Sequence, residues 1–345
     1  MDWAQDGNAW PHREASRFVQ AGGLRWHVQQ MGRGPALLLV HGTGASSHSW
    51  RDLMPRLAPH FNVLVPDLPG HAFSTPAPGH ALSCPGMAEA LHVLLKAVHF
   101  EPAVAVGHSA GAAVLARLAL DGRLPAVHTL MALNGALLPL QGLLRAMSPA
   151  AKLLTRVPGL PRLVAARAGD RSAIERLIGN TGSNLGREGS ALYARLWRDR
   201  AHVAGVLAMM ARWNIDSLPG ELPRLAARLL LLAGSADRAV APAQADWVAA
   251  RVPGAKVVPL PGLGHLAHEE DPAGVAELLI ALAQPLANGT TPWSAEGAPC
   301  YPFALAGSGT PRGASPAGKR IAKDLQGEHP GDRALRSERA LGPGV

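Results

Sequence analysis

The sequence has few of the residue types that mark several classes of protein. Only two of its 345 residues are cysteines, Cys84 and Cys300, which excludes a disulfide framework and any multi-cysteine zinc or iron–sulfur site. Aromatic residues make up 4% and charged residues 17% of the chain, whereas 48% is apolar, mostly Ala, Leu and Val. Such a composition is too apolar for an intrinsically disordered protein, and it provides for a large buried core.

No segment is typical of targeting, of a membrane span or of a bound cofactor. Residues 1–14 carry three acidic side chains rather than a basic region followed by an apolar run. The longest candidate span, Leu124 to Leu144, contains two prolines and several polar residues, which indicates a buried strand, a turn and the start of a helix. Without a targeting segment or a membrane span, we predict a cytoplasmic protein. The sequence also has no GxGxxG, no phosphate-binding loop and no metal-ligand spacing, so we predict no cofactor and no metal.

Positive charge is in excess. The 33 Lys and Arg against 25 Asp and Glu give a formal net charge of +8, and the sequence pI is about 10.3. This balance indicates an anionic partner, which is a nucleic acid, a membrane surface or an acidic small molecule. Nucleic acid is not predicted, because the sequence contains no nucleic-acid-binding motif and no basic stripe interleaved with aromatic residues.

Short apolar runs alternate with helical segments along most of the chain. The predicted strands are an edge strand at Leu24–Gln30, then Ala36–Val40, Val63–Val65, Val104–Val106, Leu130–Leu133, Leu229–Leu232 and Lys256–Leu260. The predicted helices are Trp50–Leu57, Met87–Val98, Ala110–Leu120, Ala243–Arg251 and Pro272–Ala283. Unbroken apolar runs between turn residues are typical of strands covered on both faces. The alternation therefore predicts an α/β fold with a mostly parallel, doubly wound sheet.

The alternation is interrupted once, which predicts the domain organisation. Residues 136–228 contain no apolar strand-like run and form a predicted helical cap over the carboxyl edge of the sheet. Residues 1–135 and 229–285 form the predicted core. Residues 286–345 are rich in Gly, Pro, Ser and Arg without periodicity, and we expect a disordered tail, with a poorly patterned extra element as the alternative.

Most of the excess charge belongs to the predicted cap. Residues 136–221 together with Arg224 hold 13 basic and 6 acidic residues, whereas the core holds 13 and 14. Such a basic cap is suited to attract a carboxylate-bearing substrate or to make peripheral contact with an anionic membrane surface. A solvated, arginine-rich face is the alternative.

Gly107-His108-Ser109-Ala110-Gly111 matches the pattern G-x-S-x-G directly between a predicted strand and a predicted helix. A sharp strand-to-helix turn strains the serine backbone and exposes its hydroxyl above the sheet. The small neighbours let the chain pass closely, and the Ala110 amide at the helix start is available to an oxyanion. The pattern predicts a nucleophilic serine, with a plain glycine-rich turn as the alternative.

A nucleophilic serine needs a base and an acid that orients the base. Asp237 follows the Leu229–Leu232 strand, and His265 follows the Lys256–Leu260 strand. With Ser109 they give the order Ser, Asp, His at the carboxyl ends of three strands, which predicts a catalytic triad. A turn or N-cap aspartate and an ordinary loop histidine are the alternatives. His268 is predicted to be a surface or helix-entry residue.

The turn after the Ala36–Val40 strand supplies the second predicted oxyanion donor, the amide of Thr43 in His41-Gly42-Thr43-Gly44. Pocket candidates are His41, Gly42, His108 and Asn134. A purely structural turn is the alternative for His41, and Asn134 either lines the pocket or caps the chain into the cap segment.

The segments HGTG, DLPGHAFS, GHSAG, AGSADRAVAP and GLGHLAHEEDP together resemble the α/β-hydrolase superfamily over Ser16 to Ala283. The resemblance implies an α/β-hydrolase fold with a helical cap between the sixth and seventh sheet strands. It also implies the roles given above to Ser109, Asp237 and His265 as catalytic residues. Ala72 departs from the family, which usually has glycine there, and this puts the conformation of that loop in doubt.

The segments DGNAWPHREASRFVQAGGLRWHVQQMGRGP, HGTGASSHSWRDLMP and LNGALLP resemble the magnesium-chelatase accessory proteins of bacteriochlorophyll biosynthesis, the BchO type. This resemblance implies a role in that pathway and transient association with magnesium chelatase. It also implies a porphyrin or porphyrin ester as the small-molecule substrate. Two functions are expected from it: a serine hydrolase of a carboxylic ester, or a non-catalytic porphyrin-binding accessory protein.

Overall fold

The computed structural model describes residues 1–76, 79–139, 165–166 and 170–283. The predicted tail, residues 286–345, and most of residues 140–169 in the predicted cap lie outside the described residues. The domain boundaries at 135/136, 228/229 and 285/286 stay predictions.

The described residues contain one eight-stranded sheet of order β1-β2-β4-β3-β5-β6-β7-β8. Pairs β1–β2 and β2–β4 are antiparallel, and all other neighbours are parallel. The strands are β1 (Ser16–Ala21), β2 (Leu24–Met31), β3 (Ala36–Val40), β4 (Asn62–Pro66), β5 (Val104–His108), β6 (Thr129–Leu133), β7 (Arg228–Gly234) and β8 (Lys256–Leu260). The predicted mostly parallel sheet is confirmed, and strands β3 to β6 are almost entirely buried, as their apolar sequences require.

The predicted edge strand lies inside the sheet. Strand β2 pairs with β1 on one side and with β4 on the other, so β1 forms the edge. Gly22 and Gly23 connect β1 and β2 in a two-residue turn, with positive φ angles of 60° and 75° that favour glycine. In the sequence, the Gly-Gly pair was the signal for a hairpin and therefore for a further strand before Leu24. Strand β1 has only a half-buried pattern, which is why its apolar content is weak.

Helices cover the sheet. They are α1 (Trp3–Asp6), α2 (Met54–Leu57), α3 (Cys84–Ala97), α4 (Ala110–Leu120), α5 (Arg171–Asn180), α6 (Arg187–Arg198), α7 (Arg200–Arg212), α8 (Leu218–Glu221), α9 (Ala243–Ala249), α10 (Ala267–Glu270) and α11 (Pro272–Ala283). The single helix predicted at Trp50–Leu57 is wrong: a 3₁₀ turn, Ser47–Trp50, precedes the short helix α2. Pro55 lies in the first turn of α2, where its missing N–H costs nothing, so the helix starts there and not earlier.

The described part of the insertion between β6 and β7 packs on loops at the carboxyl edge of the sheet. Ile174 and Ile178 of α5 and Tyr193 of α6 form one buried cluster with Ala45, which follows β3, and Leu266, which follows β8. Burying such a set stabilises the contact by roughly 2 kcal/mol per large side chain. Helices α5 and α6 therefore cover the strand ends. No helix in the described ranges is long and apolar enough to cross a membrane.

Candidate active site

Ser109 occupies the sharp turn between β5 and α4. Its backbone has φ 51° and ψ −119°, which non-glycine residues rarely adopt. Two glycines permit the turn: a Cβ on Gly107 would lie 2.5 Å from Ala112 Cα, and one on Gly111 would lie 2.3 Å from the Val40 carbonyl oxygen. Any larger side chain at either position would collide with backbone. The turn thus holds Ser109 at the carboxyl edge of the sheet.

Asp237 and His265 lie at the ends of the neighbouring strands β7 and β8 and are hydrogen-bonded. His265 Nδ1 is 2.8 Å from Asp237 Oδ2. Asp237 Oδ1 accepts from the backbone N–H groups of Ala239 and Val240, at 2.8 and 2.9 Å. Because an ionised carboxylate only accepts, His265 carries its proton on Nδ1, and its Nε2 is left as an acceptor. The structure therefore gives His265 the tautomer that a general base needs.

The Asp237 carboxyl is held in its ionised form. Burial raises its pKa, but the hydrogen bond and charge of His265 and the amides of Val240 and Ala239 outweigh burial, so the pKa lies below its ordinary value. Asp237 consequently stays an acceptor at neutral pH. It is placed to stabilise positive charge on the His265 ring.

Both predicted amide donors lie beside Ser109. Ala110 begins α4, and the first N–H groups of a helix have no partner within the helix. Gly42 brings the turn after β3 against the serine, since a Cβ on Gly42 would lie 2.9 Å from Ser109 Cβ. Thr43 follows and lines the same cavity as Ser109. Two converging backbone N–H groups are what an oxyanion requires.

Ser109 and His265 line one cavity of about 120 Å³. The described lining is mostly apolar and comes from the turn after β3, from α5 and α6, and from the segment after β8; it includes Ala45, Ile174, Leu177, Ile178, Trp197 and Leu266. No Asp, Glu, Lys or Arg is among the described residues that line it. Leu177 is 46% exposed, so the apolar lining reaches the surface. The cavity suits an apolar group adjoining the Ser109 hydroxyl.

Of the four predicted pocket residues, His108 lines this cavity and the other three do not. His41 lies behind it, where Nδ1 donates to the Gly42 carbonyl at 2.8 Å and Nε2 accepts from the Leu68 N–H at 2.9 Å. Burial lowers the pKa of His41, so the ring is neutral. The expectation of a pocket role for His41 and Gly42 is therefore corrected: they shape the turn that carries Thr43.

Asn134 takes neither of its two expected roles. Its side chain does not line the cavity and does not cap the chain, but donates to Asp237 Oδ2 at 2.7 Å. The contact with Asp237 had one signal in the sequence: Asn134 directly follows β6, and β6 lies next to β7, the strand that precedes Asp237.

A buried ionic network beside the cavity was not predicted from the sequence. Glu269 accepts from Arg51 Nη1 at 2.5 Å and from the Tyr193 hydroxyl at 2.8 Å. Burial raises the pKa of Glu269 to about 7, although Arg51 and Tyr193 act in the opposite direction. Tyr193 lines the cavity, so the network joins α6 to the segment that follows His265. Nothing in the sequences SWRDL and HEEDP distinguishes these charged residues from surface ones.

Six almost completely buried histidines surround the site, and one of them, His268, meets the helix-entry alternative of its prediction but not the surface alternative. They are His41, His48, His71, His108, His202 and His268, and burial lowers the pKa of each, to about 3 for His71 and His108. His268 is not a surface residue, because its ring lies 4.5 Å from the Trp50 ring and 4.7 Å from the His108 ring. In the described part of the chain, no three His, Cys, Asp or Glu side chains are grouped to hold a metal ion.

Comparison with known proteins places this geometry in a family. The sequence profile described as alpha/beta hydrolase fold matches residues 35–272. This chain belongs to the α/β-hydrolase family. It is also 38% identical to the magnesium-chelatase 30 kDa subunit of Rhodobacter capsulatus over 275 residues, which cover 79% of this chain and 95% of that protein. The resemblance to the magnesium-chelatase accessory proteins is thereby confirmed.

Solved structures of the family share the fold. An α/β-hydrolase fold protein from Burkholderia ambifaria has a TM-score of 0.66 and 23% identity, covering 77% of this chain and 97% of its own. An esterase from Thermogutta terrifontis has a TM-score of 0.61 and 24% identity with the same coverage. At these identities the similarity supports the α/β-hydrolase fold of this chain and does not extend to a substrate.

Proposed function

We propose that this α/β-hydrolase is a serine hydrolase of carboxylic esters, with Ser109 as nucleophile, His265 as base and Asp237 as the orienting acid. The observation that carries the proposal is the strained Ser109 turn in one cavity with His265, whose Nδ1 lies 2.8 Å from a buried carboxylate. Packing alone requires neither a strained serine nor a buried aspartate–histidine pair, both of which cost stability. Esterase chemistry uses both.

In the proposed reaction, Ser109 Oγ attacks the ester carbonyl carbon while His265 Nε2 takes the hydroxyl proton. The carbonyl electron pair moves to the oxygen, where the Thr43 and Ala110 N–H groups stabilise the negative charge. Asp237 stabilises the imidazolium. The bond to the alkoxy group then breaks, and His265 returns the proton to the departing alcohol. Water, deprotonated by His265, attacks the acyl-enzyme, which releases the acid and restores Ser109.

We propose that the reaction belongs to bacteriochlorophyll biosynthesis in the cytoplasm, with transient association with magnesium chelatase. The support is the similarity over most of both chains to a protein named as a magnesium-chelatase subunit. The substrate class is then a porphyrin ester. The cavity of about 120 Å³ is slightly smaller than one of ~150 Å³ that takes a benzene ring. A porphyrin would therefore place one ester arm beside Ser109 and keep its macrocycle outside.

A fluorophosphonate probe tests the chemistry, because it labels only an activated serine nucleophile. We expect stoichiometric labelling of the wild-type protein at Ser109, identified by peptide mass, and none of Ser109→Ala. Ser49 is a buried control serine outside the cavity, and Ser49→Ala should be labelled like the wild type. An unlabelled wild type that is folded by circular dichroism would refute the hydrolase proposal.

The alternative function is a non-catalytic porphyrin-binding accessory protein of magnesium chelatase. It is favoured by the relative's name, which specifies a chelatase subunit and no hydrolysis. A complementation experiment distinguishes the catalytic from the binding function. In a bacteriochlorophyll-producing host, the gene for this protein is deleted and only the Ser109→Ala variant is supplied. If catalysis is the function, pigment should fall to the level of the deletion strain. Full pigment with Ser109→Ala would instead support the binding role.

A further inference from the structure

The segment that ends β6 contacts the surroundings of all three proposed catalytic residues. The Ser109 N–H donates to the Leu133 carbonyl at 3.1 Å, and the Ala136 N–H donates to the Ser109 carbonyl at 3.0 Å. Between them, the Asn134 side chain reaches away from Ser109 toward Asp237. One short piece of chain is thus bonded to the serine turn on one side and to the acid on the other.

The Asn134 side chain makes three hydrogen bonds at this junction and uses both of its N–H donors. Its Nδ2 donates to Asp237 Oδ2 at 2.7 Å and to the Gly264 carbonyl at 2.8 Å, which are the two bonds that one NH₂ group can donate. Its Oδ1 accepts from the Gly234 N–H at 3.3 Å. Gly234 ends β7, just before Asp237, and Gly264 immediately precedes His265. The amide therefore ties the acid loop to the histidine loop.

The backbone at Asn134 is adapted to this position. Its φ is 46°, a left-handed conformation in which asparagine is several-fold enriched over other non-glycine residues. Its own N–H donates to the Leu232 carbonyl of β7 at 2.7 Å. The side chain is buried and makes its contacts without reaching the cavity, so it is not placed to touch a substrate.

We propose that Asn134 is a positioning residue of the Ser109 site, which holds the Asp237 carboxylate and the backbone before His265 in register. Asp237 Oδ2 receives both Asn134 Nδ2 and His265 Nδ1, so the amide fixes the oxygen that orients the base. The proposal rests on the proposed hydrolase function. The groups near Asn134 that titrate are Asp237, His265 and His108, and no Lys or Arg side chain of the described residues is bonded to any of them.

Two substitutions separate positioning from packing. Asn134→Gly fits the left-handed backbone and removes the amide, whereas alanine there would add strain. Displacement of the acid is expected to lower kcat about 10- to 100-fold with KM little changed. Asn134→Asp keeps the shape of the side chain. It replaces the amide nitrogen, which lies 2.7 Å from Asp237 Oδ2, by a carboxylate oxygen. Two such carboxylates cannot both ionise, so they share a proton over part of the pH range.

The Asn134→Asp variant therefore has a pH signature. Near pH 6 its added carboxyl is protonated and donates to Asp237, and it loses that proton as the pH rises. We expect the ratio of variant to wild-type kcat to rise at least about threefold from pH 8 to pH 6. A loss of activity caused by altered packing alone would leave this ratio constant, because the shape of the side chain does not change with pH. A constant ratio, or wild-type kcat in Asn134→Gly, would overturn the proposal.

Proton NMR gives a readout that does not depend on turnover. The proton between His265 Nδ1 and Asp237 Oδ2 should resonate far downfield in the wild type, and should shift or broaden in Asn134→Gly. If the wild type is neither active nor labelled, the hydrolase function fails, and this resonance still decides whether Asn134 positions the pair. If the wild type is active and both the resonance and kcat survive in Asn134→Gly, only the positioning role fails.

Discussion

Asp237→Asn is expected to lower kcat for ester hydrolysis by about 10⁴-fold with little change in KM. The surroundings of the side chain dictate which way the new amide faces. The donors to Oδ1 are the backbone N–H groups of Ala239 and Val240, which cannot become acceptors, whereas His265 can change its tautomer, so we expect the amide oxygen to lie at the Oδ1 position. The NH₂ group then faces His265 Nδ1, which turns that nitrogen into an acceptor. The proton moves to Nε2, and His265 no longer accepts the Ser109 proton.

Steady-state kinetics with a small aryl ester measure this effect. Asp246→Asn is a matched control, because Asp246 is an exposed aspartate on α9 that does not line the Ser109 cavity. It should keep wild-type kcat. Thermal unfolding checks that Asp237→Asn is folded. A folded Asp237→Asn protein with kcat within tenfold of the wild type would contradict the proposed roles of Asp237 and His265.

The second large effect expected is a steep loss of stability in mild acid. In the unfolded chain, His71 and His108 take up protons near their ordinary pKa of about 6.5, but folded they stay neutral until about pH 3. The folding stability that depends on these two neutral histidines is therefore fully present above about pH 6.5, and it declines as the pH falls toward 3. At pH 4.5 each of the two costs roughly 3 kcal/mol of folding stability. Their sum approaches the whole stability of many domains, about 5–15 kcal/mol.

Other buried groups modify this loss without reversing it. Four further buried histidines have a lowered pKa and act in the same direction. Glu269 acts oppositely, because its raised pKa of about 7 adds stability as the pH falls from 7 toward 4.5. Glu269 returns about half of the stability that His71 and His108 together lose, and the other four histidines only add to the loss, so the net loss between pH 7 and pH 4.5 is at least about 2 kcal/mol. Urea unfolding at a series of pH values measures it.

A single substitution tests the cause. His268→Leu removes a buried ring whose nitrogens have no hydrogen-bond partner among the described residues, and leucine has a similar volume. We expect equal or higher stability at pH 7 and an acid transition at lower pH. His60 is exposed, so His60→Leu should leave the acid transition where it is in the wild type. If His268→Leu unfolds at the same pH as the wild type, burial of neutral histidine is not the source of acid sensitivity.

Features written in a few adjacent residues could be predicted from the sequence. The strands β3 to β7 contain apolar runs, and such runs are predicted to be buried without knowing which strands pair with them. The serine turn is fixed by glycines at positions 107 and 111, which the close approach of neighbouring backbone requires. Asp237 and His265 could be selected because each directly follows a recognisable strand, and parallel strands bring their carboxyl ends to one edge.

Features made by contacts between distant segments could not be predicted. Asn134 was expected either to line the pocket or to cap the chain, because its bond to Asp237 depends on how β6 and β7 align. Charged residues such as Arg51 and Glu269 are usually at surfaces, and only the fold shows that each satisfies the other in the interior. His268 was expected at the surface or at a helix entry; it does lie at the start of α10, but its polar ring gives no sign of its buried contact with Trp50.

The network around Glu269 also bears on the order in which the protein is assembled. Arg51 precedes Glu269 by 218 residues, and Tyr193 precedes it by 76. At synthesis rates of about 5–20 residues per second, Glu269 is synthesised roughly 10 to 45 seconds after Arg51. Until then the guanidinium has the His48 carbonyl but not the Glu269 carboxylate as a buried partner, and α6 has no bond to the segment that follows His265. The wall beside Ser109 and the loop that carries the base are thus completed in one late event of translation.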